Sequence, residues 1–215
     1  MTNRDVLSLL TFVLFTFATS AFSAGPDTAS SPLLSLVRKQ YNPNASVEAK
    51  VTLTIYWSVR EKEEKKQGRL ILAPGDRFHV TLGSETFVSN GSIVWDYNSA
   101  ADQVVINRFA DIDLSNSPSR LFAKYLLSCP FRELGRANGS AELSWKSDSS
   151  QAPYPSIRVW VQVATGTITK CEMTDRNGNL FTYTFTGTVF GKNASKETFD
   201  FVIPKSARVV DSRKQ

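Results

Sequence analysis

The chain is built from short runs in which apolar and polar residues alternate, and this period of two limits what it can fold into. Val51, Leu53, Ile55 and Trp57 share one face of the first run, with Thr52, Thr54 and Tyr56 on the other. Strand-like runs recur at 68–73, 77–82, 85–89, 92–97 and 103–107. They resume at 141–146, 157–164, 168–174, 180–188 and 198–203. Asn-Gly pairs at 90–91, 138–139 and 177–178 lie between runs, where type I′ hairpin turns want them. The pattern predicts a meandering antiparallel sheet, long enough to curl. Glu61-Lys62-Glu63-Glu64-Lys65-Lys66 nearly cancels in charge and reads as a solvated hairpin end rather than a binding patch.

Two segments break the period. Ser31-Pro32 is an N-cap followed by proline, and Leu33, Leu34 and Val37 give the short helix behind it one apolar face. Ser117-Pro118 repeats the signal, with Leu121, Phe122, Tyr125 and Leu126 on one side of a helix ending near Cys129-Pro130. The expected fold is mainly β, with a few helices laid over one face of the sheet. No repeat, linker or low-complexity tract divides residues 25–215, so they are expected to form one domain.

Residues 1–24 read as a cleavable signal peptide: Arg4, an apolar run from Val6 to Phe15, then small residues around Ala21-Phe22-Ser23-Ala24. No cysteine lies near the cut to be acylated, so a soluble exported protein is expected. The formal net charge is +5, but basic and acidic residues are interspersed and no basic stripe alternates with aromatics. Nucleic acid is therefore not an expected partner. Cys129 and Cys171 are the only cysteines. In an oxidising compartment they either pair, contributing roughly 4 kcal/mol by loop closure, or stay as two buried thiols.

The catalytic inventory is thin. His79 is the one histidine and falls inside a strand-like run. No G-x-S-x-G elbow occurs, and no His, Cys and carboxylate cluster has metal-ligand spacing. Asp111 and Asp113 read as solvated loop acids, and Asp175 as a turn residue before Arg176-Asn177-Gly178. A secreted hydrolase would need a site assembled from distant positions around His79. The expectation is a protein without a catalytic site, metal or cofactor.

Much apolar surface remains, since the chain carries 14 Phe, 4 Trp and 6 Tyr, many on strand faces. Alternation alone is compatible with a packed core or with a sheet curled around a cavity.

The stretch 68–107, GRLILAPGDRFHVTLGSETFVSNGSIVWDYNSAADQVVINRF, resembles the periplasmic outer-membrane lipoprotein carrier family, LolA. It has a Gly-led strand, a proline turn into a Phe-bearing strand, an Asn-Gly turn, a Trp-x-Tyr strand and a valine-rich one. Ser117-Pro118-x-x-Leu121-Phe122 resembles the family's lid helix. Asp175-Arg176-Asn177-Gly178 with Phe181, Tyr183 and Phe185 resembles its late hairpin. Phe199-x-Phe201-x-Ile203-Pro204 and Val209-Val210-Asp211 resemble its C-terminal signature.

The resemblance implies a strongly curved, incomplete antiparallel barrel with a helical lid over an apolar cavity. It implies a periplasmic monomer without cofactor that takes up the acyl chains of lipid-modified proteins. An inner-membrane ATP-driven lipoprotein-releasing transporter would supply the cargo, and an outer-membrane acceptor would receive it. The same fold would also suit a periplasmic lipid- or protein-binding sensor. Cavity candidates are Leu53, Ile55, Trp57, Leu70, Leu72, Phe78, Val80, Trp95, Phe181, Tyr183 and Phe185, with Leu121, Phe122 and Leu126 facing inward from the lid. One departure stands out. The family often carries an arginine before the proline, contacting the lid and helping to control its opening. Here Ala73 precedes Pro74, and that role is not transferred to Arg77.

Overall fold

The computed structural model describes residues 31–42, 44–112, 129–149 and 151–214. Helix α1 (Pro32–Gln40) begins as its sequence dictates. The Ser31 hydroxyl accepts the Leu34 amide at 3.1 Å, and Pro32 occupies the first turn, where its missing N–H costs nothing. Arg38 and Lys39 lie in the last turn, complementing the negative end of the helix dipole. Leu33, Leu34 and Val37 are buried together on the face turned to the sheet.

The strands are β1 (Val47–Trp57), β2 (Lys62–Ala73), β3 (Arg77–Leu82), β4 (Glu85–Asn90), β5 (Ile93–Asn98), β6 (Gln103–Arg108), β7 (Arg132–Ala137), β8 (Ser140–Lys146), β9 (Ser156–Gln162), β10 (Thr167–Thr174), β11 (Leu180–Phe190) and β12 (Arg208–Asp211). Among the described residues they form one 12-stranded sheet in the order β12-β6-β5-β4-β3-β2-β1-β11-β10-β9-β8-β7. All neighbours are antiparallel except β12, which lies parallel to β6. The end strands β12 and β7 do not pair with each other, so the curled sheet stays open.

Curvature has local causes. Bulges interrupt the ladders at Glu48/Lys50, Ile168/Lys170 and Glu133/Gly135, and a bulge bends its strand. At Gly68 the β3 backbone comes so close that a Cβ would sit 1.7 Å from the Thr81 carbonyl oxygen. The bending brings Phe78 of β3, Leu143 of β8 and Leu34 of α1 into one buried cluster on the concave side. The expected class, a curved and incomplete antiparallel barrel, is the one observed. The expected helix around 117–129, with its lid residues Leu121, Phe122 and Leu126, lies outside the described residues except for Cys129. So do Asp113 and the signal peptide.

Four sequence expectations change. The charged run 61–66 is mostly strand: β2 begins at Lys62, and the hairpin end is a shorter turn with Glu61 at φ 48°. Residues 132–137 form β7, whose mostly exposed charged sequence shows no alternation. Residues 198–203 are not a strand. They comprise the end of a 3-10 turn (Lys196–Phe199) and an extended tail, while β12 takes the place beside β6. Of the Asn-Gly pairs, only Asn138-Gly139 has both residues at positive φ, as a type I′ turn requires. At 90–91 the Asn90 side chain instead accepts the amides of Ser92 and Ile93, both at 3.0 Å.

Candidate functional site: the inner face of the sheet

Register assigns each strand residue to a face, because directly paired residues project to the same side. Starting from the buried row Val47, Ala49, Val51, Leu53 and Ile55 of β1, the concave face can be followed strand by strand. Leu53 pairs with Tyr183, Tyr183 with Cys171, Cys171 with Val159 and Val159 with Leu143. Ile55 leads in the same way through Phe181, Met173 and Ile157 to Trp145. In the other direction Leu72 pairs with Phe78, and Leu70 with Val80 and through it with Phe87. Leu53, Ile55, Trp57, Leu70, Leu72, Phe78, Val80, Phe181, Tyr183 and Phe185 thus share one side of the sheet.

Trp95 does not. It pairs with Val88 and Ile106, and Val88 pairs with His79, all on the convex face. The inward residues of β5 are Val94, Asp96 and Asn98, so Ile93, Trp95 and Tyr97 line no part of the trough. The convex face here is covered by the chain's own segment 196–203. Phe199 is 1% exposed, Arg77 lies over its ring, and the Tyr97 and Phe201 rings are 5.5 Å apart. His79 belongs to this cover: its Nδ1–H donates to the Thr198 carbonyl at 2.8 Å. The histidine and Arg77 therefore hold a segment in place on the far side from the trough.

The trough is aromatic at one end. The Phe181 ring meets Trp57 and Tyr154 edge-on at 6.2 and 6.1 Å, and Tyr183 stacks on Phe185 at 6.4 Å. Burial raises the Tyr183 phenol above its ordinary range, with Tyr154 and Cys171 adding to the effect. Burial also pushes the Cys171 thiol up to about 12. Cys171 is a free thiol on the inner face, so it is not joined to Cys129 in the structure. Phe78 is a wholly buried core residue against Phe109, which keeps it from meeting a partner at the surface.

At the other end α1 lies on the face. The Tyr41 hydroxyl accepts the Ile168 amide at 3.0 Å, and burial raises its phenol to about 12. The Arg38 guanidinium donates to the Cys129 carbonyl at 3.3 Å, and Gln40 to the Thr165 carbonyl. Beside Tyr41, an apolar pocket of about 250 Å³, open mouth included, is lined by Leu70, Leu72, Ile168 and Phe185 among others. Its enclosed space is no more than about that of one water molecule. Periodicity missed Met173, Ile157, Val159 and Leu143 as inner-face residues. Alternation within 157–174 carried that signal, but only the pairing attaches it to the same face as β1.

The family model described as outer membrane lipoprotein carrier protein LolA matches residues 57–202. This chain belongs to the LolA family. An outer-membrane lipoprotein carrier protein of Shewanella sp. (strain MR-7) is 26% identical over 180 residues, covering 82% of this chain and 85% of its own. A conserved protein of Thermus thermophilus has a similar fold, with TM-score 0.54 at 18% identity over 83% of this chain and 96% of its own. A LolA-superfamily protein from Nitrosomonas europaea aligns with TM-score 0.42 at 8% identity, over 79% of this chain and 96% of its own.

Proposed function

We propose that this LolA-family chain is a periplasmic carrier that shields the acyl chains of lipid-modified proteins between the inner and outer membranes. The observation that carries this reading is the continuous apolar inner face, running from Leu72 and Phe78 through Leu53 and Phe181 to Ile157. On this reading residues 1–24 are a cleaved signal peptide and 25–215 the single carrier domain. An ATP-driven transporter loads it at the inner membrane, and an outer-membrane acceptor unloads it. The work involves no chemical step, consistent with a histidine engaged in holding the C-terminal segment.

Energetics dictate how such a carrier must operate. Burying three acyl chains of some fifteen methylenes, at about 0.8 kcal/mol per CH₂, is worth on the order of 35 kcal/mol. Extraction therefore needs energy input at the membrane, and the carrier must hold its cargo loosely enough to release it. Here Leu33, Leu34 and Val37 of α1 already fill part of the inner face. Acyl chains entering that part replace α1 contacts rather than fill a void, which lowers net affinity and assists release.

Depletion of the protein tests this function. It should leave outer-membrane lipoproteins at the inner membrane, and acylated lipoprotein should co-purify with the protein from periplasm. Normal sorting after depletion would overturn it.

A further inference from the structure

The inner face is not uniformly apolar, and where it changes is informative. On the β1, β11, β10 and β9 side it stays apolar as far as Ile55, Phe181, Met173 and Ile157. On the β2 side it does not. Lys66, Glu64 and Lys62 are the inward partners of Leu53, Ile55 and Trp57. The sheet has a step here, because β3 pairs with β2 only from Gly68 onward and turns back at Gly83, whose amide donates to the Gln67 carbonyl. Beyond that turn the β1–β2 hairpin runs on without β3.

The side chains of the step are linked. The Lys66 ammonium stands 3.4 Å from Glu64 and 3.7 Å from Glu85, the inward residue at the start of β4. The Trp57 indole N–H donates to Glu64 at 3.3 Å. Asp96, also inward, is next on that side, and burial together with the Glu85 charge raises its carboxyl above the usual range. Lys66 and Glu85 keep about a quarter and a third of their side-chain surface in solvent (26% and 34%). A cation and carboxylates thus stand within one side chain's length of an aromatic, apolar wall.

A surface divided this way matches an amphiphile. Resting on the carrier reading, we propose that this step seats the polar head of the lipidated cargo, namely the first peptide residues beside the lipidated one. The acyl chains run from there over Leu53, Ile55 and Phe181. A peptide backbone offers carbonyl acceptors and amide donors together, and the step answers with the Lys66 ammonium and the Glu64 and Glu85 carboxylates.

The test compares two probes on the full mature chain. One is a diacylglyceryl-cysteine lipopeptide with a short uncharged peptide, and the other a straight-chain alcohol of the same acyl length. The double variant Lys66→Ala/Glu85→Ala should bind the lipopeptide about tenfold more weakly, the scale of losing charge-assisted hydrogen bonds, while the alcohol changes by less than about twofold. A thermal melt matching the parent chain shows that the fold is kept. A photoreactive group on the second peptide residue should crosslink within residues 62–67 or 85–87. Equal losses for both probes, no loss for either, or crosslinks only at α1 or the convex face would overturn the proposal. A parent chain that binds neither probe would overturn the carrier reading itself, an outcome distinct from the others.

Discussion

Strands β3–β6 together bury side chains on both faces of the sheet, by different means. Phe78 and Val80 point into the trough, and Phe78 meets Phe109. Val88, Trp95 and Ile106 point the other way, toward the face that segment 196–203 covers. That cover is continuous with β12, tied into the sheet beside β6, and held by His79 and Arg77. At the other end of the inner face the cover is helix α1, with Leu33, Leu34 and Val37 buried in the core and Tyr41, Gln40 and Arg38 hydrogen-bonded to Ile168, Thr165 and Cys129. The difference teaches that one cover is part of the sheet's own chain path while the other is a separate helix, and on the carrier reading it is the helix whose apolar contacts give way to acyl chains.

Substitutions can break this contrast or sharpen it. The largest effects belong to the two buried phenylalanines. Phe199→Ala and Phe78→Ala should each cost about 3–5 kcal/mol in denaturant unfolding. They should differ in acyl-probe affinity, which stays unchanged for folded Phe199→Ala and shifts for Phe78→Ala. Equal shifts in both would erase the distinction between the faces.

An alkaline titration probes the inner face alone. Burial raises the Cys171 thiol from its ordinary value of 9.0 to about 12, so the folded chain holds this proton more tightly than the unfolded one. Its contribution is whole below about pH 9 and is lost as pH rises toward 12, at up to about 1.4 kcal/mol per pH unit. Cys171→Val should flatten that slope in urea melts, with the Tyr41 and Tyr183 phenols, both also raised by burial, leaving a remainder.

Gly68 permits the close approach of β2 and β3. Gly68→Ala should cost at least about 1–3 kcal/mol, because the backbone carbonyl of Thr81 must move. Its melting temperature should fall more than that of Gly139→Ala, where a Cβ meets open space and only the positive φ opposes it. The smallest effect is His79→Ala. Loss of one hydrogen bond to the Thr198 carbonyl should cost about 1 kcal/mol and speed amide exchange in 196–203 without touching acyl binding.

The strands of the trough were legible because alternation fixes which residues within one run share a face. Leu53, Ile55 and Trp57 could be grouped from sequence, as could Phe181, Tyr183 and Phe185. What alternation lacks is the relation between runs, which depends on loop length and pairing. Trp95 shows the consequence. Its large neighbours Ile93 and Tyr97 made that face look like the cavity wall, although the two-residue loop after Asn90 turns it outward. A sequence signal did exist. Ile93-Val94-Trp95 and Val104-Val105-Ile106 are continuous apolar runs, as strands buried on both faces require. The step at Lys62–Lys66 was hidden for a similar reason: a charged strand outrunning its neighbour has the same composition as a solvated turn.

Tryptophan fluorescence tests the central claim most directly, since two of the indoles lie on opposite faces. Single-tryptophan variants retaining only Trp57 or only Trp95 would be titrated with an acyl probe brominated along its chain. Acyl chains held in the trough should quench Trp57 strongly and Trp95 little. Quenching of Trp95 equal to or greater than that of Trp57 would contradict an inner-face site.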